Sequence, residues 1–170
     1  TAHQRQDRIH GFLVADAPDR IGMNEDPASA CRAKPKSSIM VAAELCASGR
    51  ASGFVSAGNS GATRAAALWH LKRVPGVLRP AIAVPIPTPN GVCILLDADA
   101  NMDCKPWHLV QFAMMGALLA RHVYGVASPT VGLLSSGEEE GTGNDLTKEA
   151  FSLLKSAGVN FSGCVEGRDV

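Results

Sequence analysis

The chain has 170 residues, of which 46% are hydrophobic and 19% charged, a globular rather than disordered composition with enough length for a real core. Acidic and basic residues cancel at 16 each. The balance provides no field of one sign for nucleic acid or acidic lipid, so an anion site here has to be local. Five scattered cysteines without C-x-x-C spacing argue against a disulfide framework and a structural zinc site, and point to a reducing cytoplasm.

Along the chain, "GFLVAD" (11–16) reads as a short apolar run and "EDPASACRAKPKSS" (25–38) as polar and turn-rich. "SIMVAAELCASG" predicts a helix capped by Ser37 or Ser38, with Ile39, Ala42, Ala43 and Cys46 on one face and Gly49 as its stop. "GFVSAGNSGATRAAALWHLKR" predicts strand, glycine turn and helix. "PAIAVPIPT" and "GVCILLDAD" are extended runs separated by the turn signal "PNG".

"KPWHLVQFAMMGALLARHVYG" predicts a long helix with Pro106 in its first turn, apolar on nearly every side and therefore buried. Its greasiest part, Leu109 to Ala120, falls short of the roughly 20 residues a membrane span needs. "TVGLLSSG" is a strand running into a turn. "NDLTKEAFSLLKSAG" is an amphipathic helix with Asn144 as cap, Gly158 as stop and Leu146, Ala150, Phe151 and Leu154 in phase; "VNFSGCVEG" is a last strand.

Strands alternating with helices predict a single α/β domain over 1–170 with a largely parallel sheet covered on both faces. Ligands bind such sheets beyond the carboxyl ends of the strands. The loops there are "SAGNSGA" (56–62), "DADANMD" (97–103), "SSGEEEGTGN" (135–144) and "EGRD" (166–169), expected to converge on one rim.

In the first loop Gly58 and Gly61 permit close backbone approach, and the following helix N-terminus faces outward, which suits an anion. A tight turn without a ligand has equal standing. Gly58-Asn59-Ser60-Gly61-Ala62 also approaches a nucleophile elbow, but His70, His108 and His122 read as ordinary helix histidines. The second loop places Asp97, Asp99 and Asn101 like the start of a calcium loop. Met102 stands where the glycine belongs and His108 where the bidentate glutamate belongs, so calcium is rejected; a looser Mg²⁺ site stays open. The plain alternative is that Asp97 and Asn101 brace loops and Asp103 caps the next helix. Glu138 to Glu140 form a solvated run or an acidic flap. Arg168 is the residue type suited to a bidentate anion contact.

Taken in order, "KSSIMVAAELCASGRASGFVSAGN", "VSAGNSGA", "RPAIAVPIPT", "LLDADANMDCKPWHLVQFAMMG", "VGLLSSGEEEGTGNDLTKEA" and "NFSGCVEGRDV" closely resemble the bacterial phosphate acyltransferase family of phospholipid synthesis (acyl-acyl-carrier-protein:phosphate acyltransferase). The resemblance covers nearly the whole chain, and the chain resembles the middle half of a family member, an incomplete part of a longer one. It implies a three-layer α/β/α sandwich like that of isopropylmalate dehydrogenase and phosphotransacetylase. It also implies a homodimer, peripheral membrane association through segments absent here, and a cytoplasmic setting. No metal or other cofactor is implied.

The implied reaction is attack of inorganic phosphate on the thioester of a long-chain acyl carrier protein, giving acyl phosphate and free carrier. Phosphate is itself the nucleophile, so the protein has to position it and stabilise an oxyanion. Asn59 and Asn101 would then orient the reacting groups and Lys105 offset anionic charge, as the catalytic set. Ser56, Gly58, Ser60, Gly61, Asp97, Asp103, Glu138, Asn144 and Arg168 would line the substrate and phosphate site.

Three positions depart from the family pattern: Asp99 replaces a glycine, Ser60 a common threonine, and Thr142 a common basic residue. The other readings are a non-catalytic remnant binding acyl carrier protein or anions, a phosphotransacetylase using coenzyme A thioesters, and a serine hydrolase.

Overall fold

A computed structural model describes residues 12–98, 103–137 and 143–170. The chain divides into two compact units, Thr1–Lys72 and Arg73–Val170. Among the described residues, no helix is long and apolar enough to cross a membrane.

The first unit is helical: α1 (Pro27–Ala33), α2 (Ser38–Ala47) and α3 (Ser60–His70). Helix α1 falls inside the stretch read as turns. Its start is nonetheless encoded, because Asp26 accepts a hydrogen bond from the Ser29 N–H (3.0 Å) and Pro27 occupies the first turn. Helix α2 begins after Ser37, but the Ser37 hydroxyl makes no cap bond; it is buried without a hydrogen-bond partner. Gly49, at φ 72°, ends this segment as expected.

The core of the unit is Ile21, Ala30, Cys31, Ile39, Met40, Ala43, Ala62 and Ala66. Four alanines in that set let three helices come close together. Outside this core, Lys34 ties the entry segment down, pairing with Glu25 at 2.6 Å and donating to the Arg20 carbonyl at 3.0 Å. The strand expected before Gly58 does not form among the described residues, and the apolar run at 11–16 is not one over its described part either. Residues 12–18 and 54–57 belong to no helix or strand, and Leu13 and Val55 are fully exposed. An extended apolar run becomes a strand only when a neighbour takes its backbone hydrogen bonds, and neither run has one.

The second unit begins with the hairpin β1 (Ala83–Thr88) and β2 (Gly91–Leu96), paired antiparallel from Ala83↔Leu96 to Thr88↔Gly91. Pro85 and Pro87 share one parity on β1. The N–H groups that face β2 are therefore those of Val84, Ile86 and Thr88, and the proline nitrogens face outward. Helix α4 (Pro106–Tyr124) follows and ends at Gly125, whose left-handed φ of 70° supplies the stop. A Cβ on Gly116 would lie 2.5 Å from Leu96 Cδ1, so this glycine lets α4 settle on β2. Gln111 holds the preceding loop to α4: it donates to the Gly76 carbonyl (2.8 Å) and accepts from the Leu78 N–H (3.0 Å).

Strand β3 (Val131–Leu134), helix α5 (Asp145–Lys155) and strand β4 (Phe161–Val165) form a parallel βαβ unit, followed by a 3-10 turn at Gly167–Asp169. Leu133, Ala150, Phe151 and Leu154 make its core, against which Leu109, Val110 and Ala113 of α4 pack. Phe151 meets Phe161 edge to face with centroids 5.3 Å apart. The apolar phase expected for α5, its Asn144 cap and the left-handed Gly158 all hold.

The α/β character is as expected, with two corrections. The hairpin is antiparallel, and parallel pairing is confined to β3 and β4 among the described residues. Helix α4 is not buried all round. Trp107, Met114 and Leu118, at helical spacing, are 40%, 47% and 53% exposed, while other faces of α4 pack against β2 and α5.

Candidate functional site

In the first unit the turn Ser56–Ala62 leads into α3. Asn59 is 7% exposed and every polar atom of its side chain is engaged. Oδ1 accepts the Ala62 N–H at 3.0 Å, capping α3. Nδ2 donates across to the carbonyls of Gly22 (3.1 Å), Met23 (3.3 Å) and Glu25 (3.3 Å). Asn59 thus fixes the shape of the turn with the hydrogens that were expected to orient a substrate.

The two glycines serve the same contact. A Cβ on Gly58 would meet Met23 Sδ at 2.9 Å, and one on Gly61 would meet Pro27 Cγ at 2.6 Å. Ser56 Oγ closes a small loop with Gly58, donating to its carbonyl at 3.2 Å. Ser60 is exposed at the first position of α3. The N–H groups of Ser60 and Gly61 precede the capped Ala62, and helix geometry gives them no acceptor inside α3.

In the second unit the loop after β2 is organised around the start of α4. Asp97 Oδ1 accepts the Ile82 N–H (3.4 Å), and the Ala98 N–H reaches the Ile82 carbonyl (3.3 Å), so Asp97 braces the base of the hairpin. Asp103 does not cap α4: Cys104 and Lys105 intervene, and Pro106 at the first helical position makes Lys105 the N-cap residue. The Asp103 carbonyl instead accepts from Arg79 Nη1 at 3.3 Å.

The cap of α4 is reciprocal. The His108 N–H donates to the Lys105 carbonyl (2.9 Å), and the Lys105 N–H donates to His108 Nδ1 (3.0 Å). Burial, and then the charges of Arg79 and Lys105, hold the His108 imidazole below its ordinary range. Burial also pushes the neighbouring Cys104 thiol up, with Asp97 and Asp103 adding to the shift and Arg79 opposing it.

At the carboxyl end of β3, an open depression of about 470 Å³ is lined by Leu134, Ser135, Ser136, Gly143, Asn144 and Thr147. Asn144 Oδ1 accepts the Thr147 N–H (3.0 Å), capping α5 above the depression. Gly143 has φ 88°, and a Cβ there would lie 2.8 Å from Ser135 Oγ. That hydroxyl is buried without a hydrogen-bond partner. Loops 135–144 and 166–169 leave the same end of the parallel pair, since the Ser135 N–H donates to the Val165 carbonyl at 2.9 Å. Arg168 forms an ion pair with Glu166 at 3.1 Å and is largely exposed.

Within the first unit, Ser56, Gly58, Asn59, Ser60 and Gly61 share the turn that leads into α3. Asp97, Asp103 and Lys105 gather at the end of β2, while Asn144 and Arg168 belong to the β3–β4 end. Asn101 and Glu138, with Asp99 and Thr142, lie outside the described residues. Sequence reasoning missed His108 and Arg79 as parts of the β2 group. The spacing that could have found His108 is its place three residues after the residue preceding Pro106, where a side chain reaches back to the cap N–H.

A family model described as "Fatty acid synthesis protein" matches residues 3–170. The chain belongs to the fatty acid synthesis protein family.

Curated relatives named "Phosphate acyltransferase" agree with that membership. One from Elusimicrobium minutum is 56% identical over 162 residues, covering 95% of this chain and 48% of the relative. One from Pelotomaculum thermopropionicum is 52% identical over 157 residues, 92% of this chain and 46% of the relative. One from Geobacter sulfurreducens is 52% identical over 164 residues, 95% of this chain and 47% of the relative. The chain spans about half the length of these relatives. Within this chain, Asn59 and Asn144 each cap a helix that follows a glycine-bearing loop.

Proposed function

We propose that this chain is the central part of a phosphate acyltransferase that converts long-chain acyl-acyl carrier protein and inorganic phosphate to acyl phosphate and free carrier protein. The observation that carries the reading is the 56% identity, over 95% of the chain, to a relative named phosphate acyltransferase. The capped starts of α3 and α5 and the cation Lys105 at the start of α4 support it chemically.

In this reading a phosphate oxygen attacks the thioester carbonyl carbon, forming a C–O bond and a tetrahedral oxyanion. Collapse breaks the C–S bond, and the carrier thiolate takes up the proton that phosphate gives away. A thiol with an ordinary pKa of about 8.5 leaves with little acid assistance, so no activated serine is needed. Backbone N–H groups of Ser60 and Gly61 serve the phosphate or the oxyanion, and Lys105 offsets anionic charge. Asn59 contributes by holding the turn that aims those N–H groups. Asn101 orients the reacting groups, and Glu138 and Arg168 border the site. A homodimer, a cytoplasmic setting and peripheral contact with the membrane complete the proposal.

The test incubates the full-length protein with acyl-acyl carrier protein and phosphate and assays acyl phosphate. Thioester loss that does not depend on phosphate sinks the reading. Parallel reactions with coenzyme A thioesters separate it from a phosphotransacetylase, and turnover surviving Ser60→Ala disposes of a serine hydrolase. Asp99 and Thr142, which depart from the family pattern, favour one second reading, a non-catalytic module that binds the carrier. Tight carrier binding without turnover, with turnover restored by Asp99→Gly together with Thr142→Lys, distinguishes it.

A further inference from the structure

His108 was unremarkable as a helix histidine, yet its surroundings define both its tautomer and its direction. It is 5% exposed. Its ring lies beside Trp107, with centroids 4.2 Å apart, and near-parallel to Phe112 at 6.4 Å. Nδ1 accepts the Lys105 N–H at 3.0 Å, and an accepting ring nitrogen carries no proton, so the proton resides on Nε2.

Lys105 is held from both sides. Pro106 restricts the residue before it to extended backbone, and Lys105 is at φ −102°, ψ 157°. On the other side, its N–H is anchored on the imidazole and its carbonyl accepts the His108 N–H at 2.9 Å. With both flanking peptides fixed, the direction in which the Lys105 side chain leaves the backbone is set.

We propose that His108 is a positioning residue, whose Nδ1 holds the Lys105 backbone so that the Lys105 ammonium is presented to the phosphate substrate. The consequence for catalysis rests on the proposed function; the hold on Lys105 does not. The charges that bear on His108 are Arg79 and Lys105, both positive. The carboxylates of Asp97 and Asp103 bear on Cys104 beside it. Helix α5 meets α4 through the apolar Ala150, Phe151 and Leu154. An imidazolium here would face two cations and the positive end of the α4 dipole, and its Nδ1 could no longer accept. The hold is therefore complete above the ordinary histidine pKa of about 6.5 and is lost as pH falls below it through the lowered pKa.

The experiment uses this chain labelled with ¹⁵N, in wild type and as His108→Asn, His108→Gln and His108→Ala. Asparagine Oδ1 reaches the place of Nδ1, whereas the glutamine amide reaches only the place of Nε2. Long-range ¹H–¹⁵N spectra are expected to show the Nε2–H tautomer. Amide exchange at Lys105 should be slow at pH 7.5 and at least tenfold faster, after correction for intrinsic rates, in His108→Ala and His108→Gln. His108→Asn should keep the protection and lose its acid sensitivity. In the full-length protein, KM for phosphate should rise in the Ala and Gln variants and stay near wild type in Asn, with no further rise in a Lys105→Ala background. An Nδ1–H tautomer, equal Lys105 protection in all four proteins, or rescue by Gln rather than Asn overturns the proposal. Absence of phosphate-dependent turnover with Lys105 protection as expected removes the proposed function and leaves the hold on Lys105 standing.

Discussion

The Asn59 amide nitrogen lies 3.1 Å from the Gly22 carbonyl oxygen, joining two points 37 residues apart in the chain. The same side chain caps α3 through Oδ1. Asn59→Ala removes the cap, about 1 kcal/mol, and takes the donor from three part-buried carbonyls, about 1 kcal/mol more. Asn59→Asp keeps the cap acceptor but sets a carboxylate oxygen against the same three carbonyls, so it too should be less stable than wild type. Urea denaturation followed by circular dichroism measures both losses; an alanine variant as stable as wild type contradicts the expectation.

Ser37→Ala should behave opposite to an ordinary cap substitution. Loss of a capping serine usually costs about 1 kcal/mol. Here the hydroxyl is fully buried and unbonded, so its removal deletes a desolvated polar group. The expected outcome is unchanged or raised stability in the same urea experiment.

Gly61→Ala should destabilise by at least about 1 kcal/mol, because the new methyl would overlap the Pro27 ring. Substituting Pro27 by alanine in the same chain should recover part of that loss. Thermal melts of the two single variants and the double variant read the coupling.

Acid should loosen the first unit through two carboxylates. The hydrogen bond from Lys34, and then that from the Gly22 N–H, hold Glu25 below the usual carboxylate range. Contact with the Ser29 side chain and then its N–H does the same for Asp26. Lowered folded-state values mean the stabilisation is present above the unfolded pKa values of about 4 and is lost as pH falls through the folded ones. Lys34→Met should flatten the acid limb of stability against pH, and Asp26→Asn should flatten it further.

Thiol labelling should leave Cys31 for last. It is 1% exposed, and burial pushes its thiol up, so little thiolate forms and reagent has no access. Mass spectrometry after timed alkylation at pH 7.5 should find Cys31 modified on the timescale of unfolding. Early Cys31 labelling contradicts this.

Helix periods and their punctuation carried most of what the sequence revealed. Asn144 to Gly158 was readable because cap, apolar phase and glycine stop all agree. The strand expected before Gly58 is absent because strand formation depends on a partner that no local pattern specifies. Helix α1 escaped notice since seven residues hold too few apolar repeats, although Asp26-Pro27 marks its start. At the candidate site, the sequence shows residue types and not their hydrogen-bond partners. Asn59 was expected to face a ligand, but its hydrogens go to carbonyls from a segment distant in sequence, which only the folded chain brings near.

The prolines of β1 have a consequence for how the hairpin can grow. Over Pro85 to Pro87 the outer rim of β1 offers carbonyls and no amide hydrogens, so a second chain cannot zip onto it as a regular ladder. Growth of this sheet is thereby directed to the β2 side, where Val92, Ile94 and Leu96 keep both backbone groups. Replacing both prolines would open the guarded rim and turn the hairpin into a template for self-association and fibre formation.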